Sequence, residues 1–376
     1  MNRVWRLFRT LHLITAVLFG LFAAAVGVSG SALVFREEIE HAMYEPRIAI
    51  GPSALPYATL MATAGALDSS RRLSMMVLPI AADRSVEFVL QKRNARSLKD
   101  ADQMSVYINP YSGRVIGARR HAESVIATVR DLHFAFFAGT RGLVFNGYVA
   151  IALLFMSITG LCLWVVASPR AQRFSLRFHG NWKRVIWNLH RQLGALSLAA
   201  LALVAMTGAY YAFREPFQRV LLVATGSEPP RGIPTVVVPS DATSPHSIDE
   251  IAKAARAAFP GGTLAAVRVP SRLTQAWAAT LHRDGDSGES TDSGPTVYLD
   301  PYTLAVARLD DVRAMPFGAS LVKSMEALHY GKFAGVSSRL LWVVLGLSPL
   351  FFSISGALMW WQRAGRRWMS DRSGRR

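Results

Sequence analysis

Thiols are almost absent from this sequence. A single cysteine, Cys162, occurs among 376 residues. An intrachain disulfide is therefore impossible, and a thiolate cluster that could hold zinc or an iron–sulfur centre is excluded. The sequence also contains neither a GxGxxG motif nor a P-loop, so nothing in it supports nicotinamide binding or ATP use.

Acidic residues are scarce as well, since 25 Asp and Glu stand against 42 Lys and Arg and leave a net charge of +17. Most of this excess lies in three short segments: before residue 11, between residues 168 and 191, and after residue 362. Basic residues next to membrane spans mark the cytoplasmic side. The charge therefore indicates membrane topology, and we expect no nucleic-acid partner.

Hydrophobic residues, by contrast, make up 51% of the chain. About 20 apolar residues cross the ~30 Å hydrocarbon core of a bilayer. The first apolar stretch is longer than the ~7–15 residues of a signal-peptide core, so we expect it to be retained. The sequence therefore predicts a helical protein that passes the membrane four times, with spans at Leu11–Phe35, Leu143–Ala167, Gln192–Phe213 and Leu340–Trp361.

Three pairs of segments resemble each other at nearly constant separations. The segment that starts at Leu11 matches the one at Leu189, VYINPY at Val106 matches VYLDPY at Val297, and LHFAFFAG matches LHYGKFAG 196 residues later. Both copies keep one orientation, which predicts a tandem, two-fold repeat. Parallel repeats of this kind place binding sites at the interface between the halves.

The two long segments between the spans each predict a small α+β domain. In the second, Ser247 and Glu250 form a capping-box signature before a helix, and four short strand candidates follow; the first has four similar candidates. DGDSGESTDSGP is predicted to be a polar hairpin tip. The predicted division is spanning helices at 1–36, 139–167, 187–214 and 337–362, external domains at 37–138 and 215–336, a basic loop at 168–186 and a basic tail at 363–376.

Four histidines recur at matched positions, each directly after a leucine. His12 and His190 begin the first and third spans on the predicted cytoplasmic side, and His133 and His329 precede the second and fourth on the other side. A two-fold relation would bring each pair together. Facing imidazoles without nearby thiolates or carboxylates suit a haem iron ligated on both axial sides, which moves electrons instead of activating oxygen.

Arginines at matched positions are candidate partners of haem propionates; they are Arg6 and Arg184 on the cytoplasmic side, and Arg36 and Arg214 on the other. Simpler interpretations stay open. The histidines could contact lipid headgroups, and arginines at helix ends often extend to the interface. Gly30 and Gly208 are interpreted as positions of close helix packing.

Three segments, LHFAFFAGTRGLV, WNLHRQLGALSLAALALVAMTGAYYAF and LHYGKFAGVSSRLLWVVLGLSPLFFSISGALMWWQR, make the chain resemble the PepSY-associated transmembrane proteins. These are often iron-regulated inner-membrane proteins of Gram-negative bacteria, and they include siderophore reductases of the ferrioxamine type. The resemblance implies haem b at both membrane faces, two PepSY-like periplasmic domains and reduction of a ferric siderophore of the hydroxamate type.

The first hypothesis is therefore a four-pass inner-membrane haemoprotein with both termini in the cytoplasm, which passes electrons from a cytoplasmic donor to a periplasmic ferric siderophore. The second is a haem-free PepSY-type accessory protein that binds a peptide, a protease or a siderophore. A third keeps the haems and changes the acceptor to copper or a periplasmic protein.

Overall fold

The computed structural model describes residues 3–79, 81–93, 102–167, 180–229, 231–240, 244–283 and 294–373. Within these ranges, four helices are long and apolar enough to cross a membrane. They are α1 (Arg3–Leu33), α5 (Gly139–Ala167), α6 (Trp182–Ala212) and α10 (Gly335–Ser373). The prediction of four membrane-spanning helices is thus supported. All four begin before the predicted apolar stretches, because helical hydrogen bonding also includes the polar residues that precede them, and only α10 continues past the predicted end.

The four long helices form a bundle in the cyclic order α1, α5, α6, α10, in which each contacts its two neighbours. α1 and α10 approach very closely at Gly27, where an added Cβ atom would lie 2.2 Å from the carbonyl oxygen of Gly346. Only two glycines permit this backbone contact. The predicted duplication relates α1 to α6 and α5 to α10, so matched helices stand diagonally across the bundle.

Shorter helices link the bundle to a β-sheet. α2 (Arg36–Tyr44) follows α1, α4 (Val125–Ala135) precedes α5, α7 (Arg214–Thr225) follows α6, and α9 (Phe317–Tyr330) precedes α10. The strands are β1 (Arg71–Val77), β2 (Val86–Lys92), β3 (Met104–Ile108), β4 (Val115–Arg120), β5 (Gly262–Arg268), β6 (Trp277–Arg283), β7 (Thr296–Leu299) and β8 (Val306–Asp310). The eight strands correspond to the two sets of four strand candidates that the sequence predicts.

The prediction of two separate α+β domains differs from the structure. The strands form one antiparallel sheet in the order β4-β3-β2-β1-β5-β6-β7-β8. β1 and β5 pair directly, with Met76 opposite Val267. Each predicted domain would have left one of these strands as an unpaired edge, and pairing the two edges satisfies their exposed N–H and C=O groups.

One hydrophobic core accordingly serves the whole sheet. α3 (Tyr57–Ala66) and α8 (Ile248–Ala258) cover one face of the sheet, where side chains from both halves are buried together. The predicted capping box at Ser247 and Glu250 is present at the start of α8. The predicted hairpin tip lies largely in 284–293, and most of the predicted basic loop in 168–179, outside the described residues.

Candidate metal centres in the helix bundle

His133 on α4 and His329 on α9 face each other at the sheet end of the bundle, and we call them the sheet-side pair. Their ring centroids are 6.2 Å apart, with the ring planes inclined by 50°. Two metal–imidazole bonds of about 2.1 Å, one on each side of an ion, would place the centroids about 6–6.5 Å apart. The spacing therefore suits one metal ion between the two rings.

Hydrogen bonds fix the tautomer of both rings. Nδ1 of His329 lies 2.9 Å from the hydroxyl of Thr207, which itself donates to the carbonyl oxygen of Leu203 at 2.9 Å. Because that hydroxyl proton is already used, Nδ1–H of His329 must be the donor. Nδ1 of His133 likewise donates to the carbonyl oxygen of Val26 at 2.9 Å. We therefore assign the lone pair of each ring to Nε2, the nitrogen available to a metal.

The protonation state also suits ligation, since a metal requires neutral imidazole. Burial lowers the pKa of His133 below its ordinary value, against a hydrogen bond to Val26 that raises it. Burial and the neighbouring His133 lower the pKa of His329 to about 3. Both rings are therefore neutral at pH 7.

His12 on α1 and His190 on α6, the far pair, repeat this arrangement at the other end of the bundle. Nδ1 of His12 lies 2.9 Å from the hydroxyl of Thr159 on α5, and Nδ1 of His190 lies 2.7 Å from the hydroxyl of Ser355 on α10. Both hydroxyls donate to the carbonyl oxygen four residues earlier in their own helices. The same assignment of the lone pair to Nε2 therefore holds for both rings.

The hydroxyl group of Ser29 also lies near a histidine, 3.3 Å from Nδ1 of His133. A glycine follows each of these four hydroxyl residues and lies against the same histidine. An added Cβ atom would lie 2.7 Å from Cε1 of His133 at Gly30, and 3.6 Å from Cε1 of His329 at Gly208. The interpretation of Gly30 and Gly208 as helix-packing positions was thus incomplete, because their free side is occupied by an imidazole. The corresponding distances to the far pair are 3.4 Å at Gly160 and 3.8 Å at Gly356.

The sequence contained a signal for this arrangement that residue-by-residue inspection missed. A hydroxyl residue followed by glycine occurs once in each of the four predicted spans, and these dipeptides are separated by the same 178 and 196 residues as the histidines; they are Ser29-Gly30, Thr207-Gly208, Thr159-Gly160 and Ser355-Gly356. Short hydroxyl residues and glycine are common in membrane helices. Only their contacts with the histidines give the pattern its meaning.

The sheet-side pair lines an apolar cavity of about 120 Å³, together with Tyr211, Trp342 and Pro349. This volume is smaller than the about 300–1,000 Å³ of a usual ligand pocket. The residues that line the cavity must therefore move apart to admit a porphyrin. The donor set itself fits a metal held on two opposite sides. No cluster of three or more His, Cys, Asp or Glu suited to a metal occurs in the described part of the chain, which leaves paired imidazoles as the candidate ligands.

The predicted propionate partners differ in placement. Arg36 lines the sheet-side cavity, where its guanidinium carbon lies 4.7 Å from the ring centroid of Tyr330. Arg214 is exposed at the first residue of α7. Arg6 and Arg184 are also exposed, each six residues before a histidine of the far pair. The structure thus brings Arg36 to its candidate centre and leaves the other three on the surface.

Two ion pairs with buried cations hold α2 against the start of α10, and sequence reasoning did not find them. Nζ of Lys332 lies 2.9 and 3.0 Å from the two carboxylate oxygens of Glu37. Arg339 is almost completely buried, pairs with Glu38, and donates to the carbonyl oxygen of Val34 at 2.9 Å. Glu37 also contacts the adjacent Arg36 at 3.6 Å.

The two pairs stand at opposite ends of the bundle. On α1, His12 belongs to the far pair and Ser29 contacts the sheet-side pair at 3.3 Å. A helix rises 1.5 Å per residue, so these positions are separated by about 26 Å along α1. The two candidate centres therefore lie at opposite ends of the bundle, close to the two faces of an apolar bilayer core.

The comparisons with known proteins agree with this membrane architecture. A family model described as PepSY-associated TM region matches residues 9–363. The chain belongs to this family. The match covers the bundle, both pairs of histidines and the whole sheet, so the motifs quoted above belong to the family region. No curated protein matches the chain.

Proposed function

We propose that this PepSY-associated chain is a di-haem electron-transfer protein of a bacterial inner membrane, which takes electrons from a cytoplasmic donor and reduces ferric siderophore in the periplasm. The observation that carries the proposal is the fourfold repetition of one unit. In each unit an imidazole donates its Nδ1 proton to a hydroxyl or carbonyl group and keeps Nε2 for a metal.

Haem b at each centre would supply one-electron transfer without an open coordination position. His12 and His190 would be the axial ligands of one centre, and His133 and His329 those of the other. Thr159, Thr207 and Ser355 orient three of these rings, as outer partners of metal-bound histidines do. Arginine side chains would pair with the propionates; the candidates are Arg36, Arg214, Arg6 and Arg184.

The orientation in the membrane follows from the basic segments. The loop at 168–186 and both termini carry most of the positive charge, which favours the cytoplasm for them and the periplasm for the sheet. The far pair would then accept electrons from the cytoplasm, and the sheet-side pair would deliver them. Siderophore oxygens are hard donors that hold Fe(III) much better than Fe(II), so reduction would release the metal.

A haem-free binding or accessory protein is the second candidate, and one observation favours it. A cavity of about 1190 Å³ lies between the sheet and helices α2 and α4, large enough for a peptide, part of a protease or a siderophore on its way to a permease. A third version keeps both haems and delivers electrons to copper or to a periplasmic protein.

The deciding experiment is an absorbance spectrum of the detergent-purified chain, oxidised and reduced, with a pyridine haemochrome count. We expect a Soret band and about two haems b per chain, since two ligand pairs are present. His329→Ala should remove one haem and leave the far pair loaded. A folded, colourless protein made with ample haem contradicts the proposal and favours the second candidate. Comparing siderophore, copper and protein acceptors separates the third.

A further inference from the structure

The large cavity lies on the face of the sheet opposite the hydrophobic core. Along β2, Phe88 and Leu90 point into the core, while Glu87, Val89 and Gln91 line the cavity. This is the two-residue alternation of a strand with one packed face. The second face of the sheet therefore lines a cavity, and α2 and α4 form the sides of that cavity.

One layer of side chains separates this cavity from the sheet-side histidines. Leu33 and Arg36 line both the large cavity and the small apolar cavity that contains His133 and His329. The guanidinium of Arg36 stands over Tyr330, whose ring centroid is 5.8 Å from that of His329. A ligand in the large cavity would therefore lie next to the sheet-side centre without entering the bundle.

The acidic side chains that line the cavity are already engaged. Glu45 accepts hydrogen bonds from the backbone and hydroxyl of Ser85, at 2.8 and 2.6 Å, and pairs with His41. Glu87 accepts a hydrogen bond from Ser105, and burial raises its pKa. The other three pair with basic residues, Glu37 with Lys332, Glu38 with Arg339 and Glu40 with Arg119.

Arg72 on β1 is not satisfied in the same way. Its Nη1 atom is buried and has no hydrogen-bond partner among the described residues. Burial and the neighbouring Arg93 lower its pKa below the ordinary value. A buried donor without an acceptor is costly and unusual. Arg72 lines the cavity, and it therefore offers a positive charge that the cavity's carboxylates, which are engaged elsewhere, do not neutralise.

We propose that this cavity is the acceptor site of the protein and that it selects a ferric chelate of net negative charge, such as a tris-catecholate, with Arg72 as a principal contact. The inference rests on the proposed function. It differs from the substrate class implied by the family resemblance, because a ferric complex of the hydroxamate type is neutral at its iron centre. The reaction at this site is the transfer of one electron to Fe(III), which leaves the chelate as Fe(II); the cytoplasmic donor supplies that electron.

The test is equilibrium binding of three ferric complexes to the full chain in detergent, at low and high salt. The probes are a trianionic tris-catecholate, a neutral tris-hydroxamate and a tris-hydroxamate that carries a free ammonium group. We expect the trianion to bind most tightly, and its affinity to fall with salt because charge attraction is screened. Equal affinity for the cationic complex overturns the proposal.

Variants locate the site. Arg72→Gln should weaken trianion binding by about tenfold or more, since hydrogen bonds to charged groups are among the stronger ones, and Arg72→Lys should restore part of it. Arg256→Gln is the matched control, because Arg256 is exposed on α8, across the sheet. Equal binding by Arg72→Gln and the control refutes the site. If Arg72→Gln does not fold, wild-type affinity and salt dependence in a folded Arg72→Lys protein together refute it.

The failures of the two proposals can be told apart. Binding is measured at equilibrium and does not require haem. A chain that carries two haems but binds no anionic chelate refutes this inference and leaves the electron-transfer proposal standing. A colourless chain that binds the trianion through Arg72 refutes the electron-transfer proposal and its step at this site, and leaves only the anion-binding site standing.

Discussion

Gly30 provides a sharp test of the sheet-side centre. In Gly30→Ala the new Cβ atom would lie 2.7 Å from Cε1 and 3.1 Å from Nδ1 of His133. Carbon atoms pack at about 3.5–4.0 Å, so the ring must move away from α1 by about 0.8–1.3 Å. Because Val26 is also on α1, the same movement stretches the 2.9 Å hydrogen bond from Nδ1 to its carbonyl oxygen beyond a useful length.

The expected penalty follows from these two effects. Overpacking costs about 1–3 kcal/mol, and a lost hydrogen bond costs about 0.5–1.5 kcal/mol. Both costs destabilise the position of the His133 ring in which Nε2 can bind the metal. Haem affinity at this centre should therefore fall by at least about tenfold. α1 itself should not be weakened, since alanine is a better helix former than glycine by about 1 kcal/mol.

The assay is the haem count per chain, with a redox titration of the reduced spectrum. We expect Gly30→Ala to lose or shift one of two haem signals. Gly208→Ala is the control supplied by the chain itself, because its Cβ atom would lie at an ordinary 3.6 Å from His329. If both variants keep two haems with unchanged potentials, or if both lose one haem equally, the proposed role of Gly30 is refuted.

Three further predictions concern the ring anchors, the sheet and pH. Thr207→Val removes the acceptor that orients a sheet-side ring, and should lower haem affinity about 10–100-fold in a haem-transfer assay. In a cysteine-free background, Val77→Cys with Ala266→Cys should form a disulfide between β1 and β5, visible as a mobility shift under non-reducing conditions, because these residues are opposite each other. His41→Gln should lower the unfolding midpoint most at pH values between the folded-state pKa of Glu45 and that of His41. The effect should be smaller towards pH 9.

The sign of the pH effect comes from the two shifts. The hydrogen bond to Glu45 raises the pKa of His41, so its stabilisation is present below the unfolded value and is lost as pH rises through the folded pKa. Burial would raise the pKa of Glu45, but hydrogen bonds from His41 and Ser85 hold it lower, so its stabilisation is lost as pH falls through the folded pKa. A destabilisation that is constant across this range contradicts the pairing.

Matched variants accompany the other two predictions. Ser197→Ala also removes an α6 hydroxyl that bonds to the carbonyl group four residues earlier, and should leave haem affinity unchanged. Val77→Cys with Ala279→Cys places the second thiol on β6, which does not pair with β1, and should stay reduced. A haem loss in Ser197→Ala as large as in Thr207→Val, or no disulfide in Val77→Cys with Ala266→Cys, contradicts the corresponding geometry.

Much of the secondary structure follows from local pattern. Apolar length predicts the four long helices, because a residue in a bilayer must satisfy its backbone polar groups within its own helix. The capping box at Ser247 predicts the start of α8, because both of its hydrogen bonds are made within four residues. Alternating short runs predict the strands. The positions of the four histidines relative to the spans follow from the same reasoning.

Contacts between distant segments could not be predicted in this way. The pairing of β1 with β5 turns two expected domains into one sheet, since it depends on two edges that lie about 190 residues apart. The contact of His329 with Thr207 joins α9 to α6, and that of Lys332 with Glu37 joins the start of α10 to α2. Each depends on the packing of complete helices, which no local propensity encodes.

By itself, the sequence determined what can be built: four apolar helices, two sets of four strands, and histidines at both ends of the bundle. Only the tertiary structure decided how these parts act together. It oriented each imidazole through a hydroxyl or carbonyl group on another helix, placed Arg36 between two cavities, and left Nη1 of Arg72 without an acceptor. The physical reason is that helices and strands form from short-range hydrogen bonds, whereas a site needs groups held at fixed distances by packing across the whole fold.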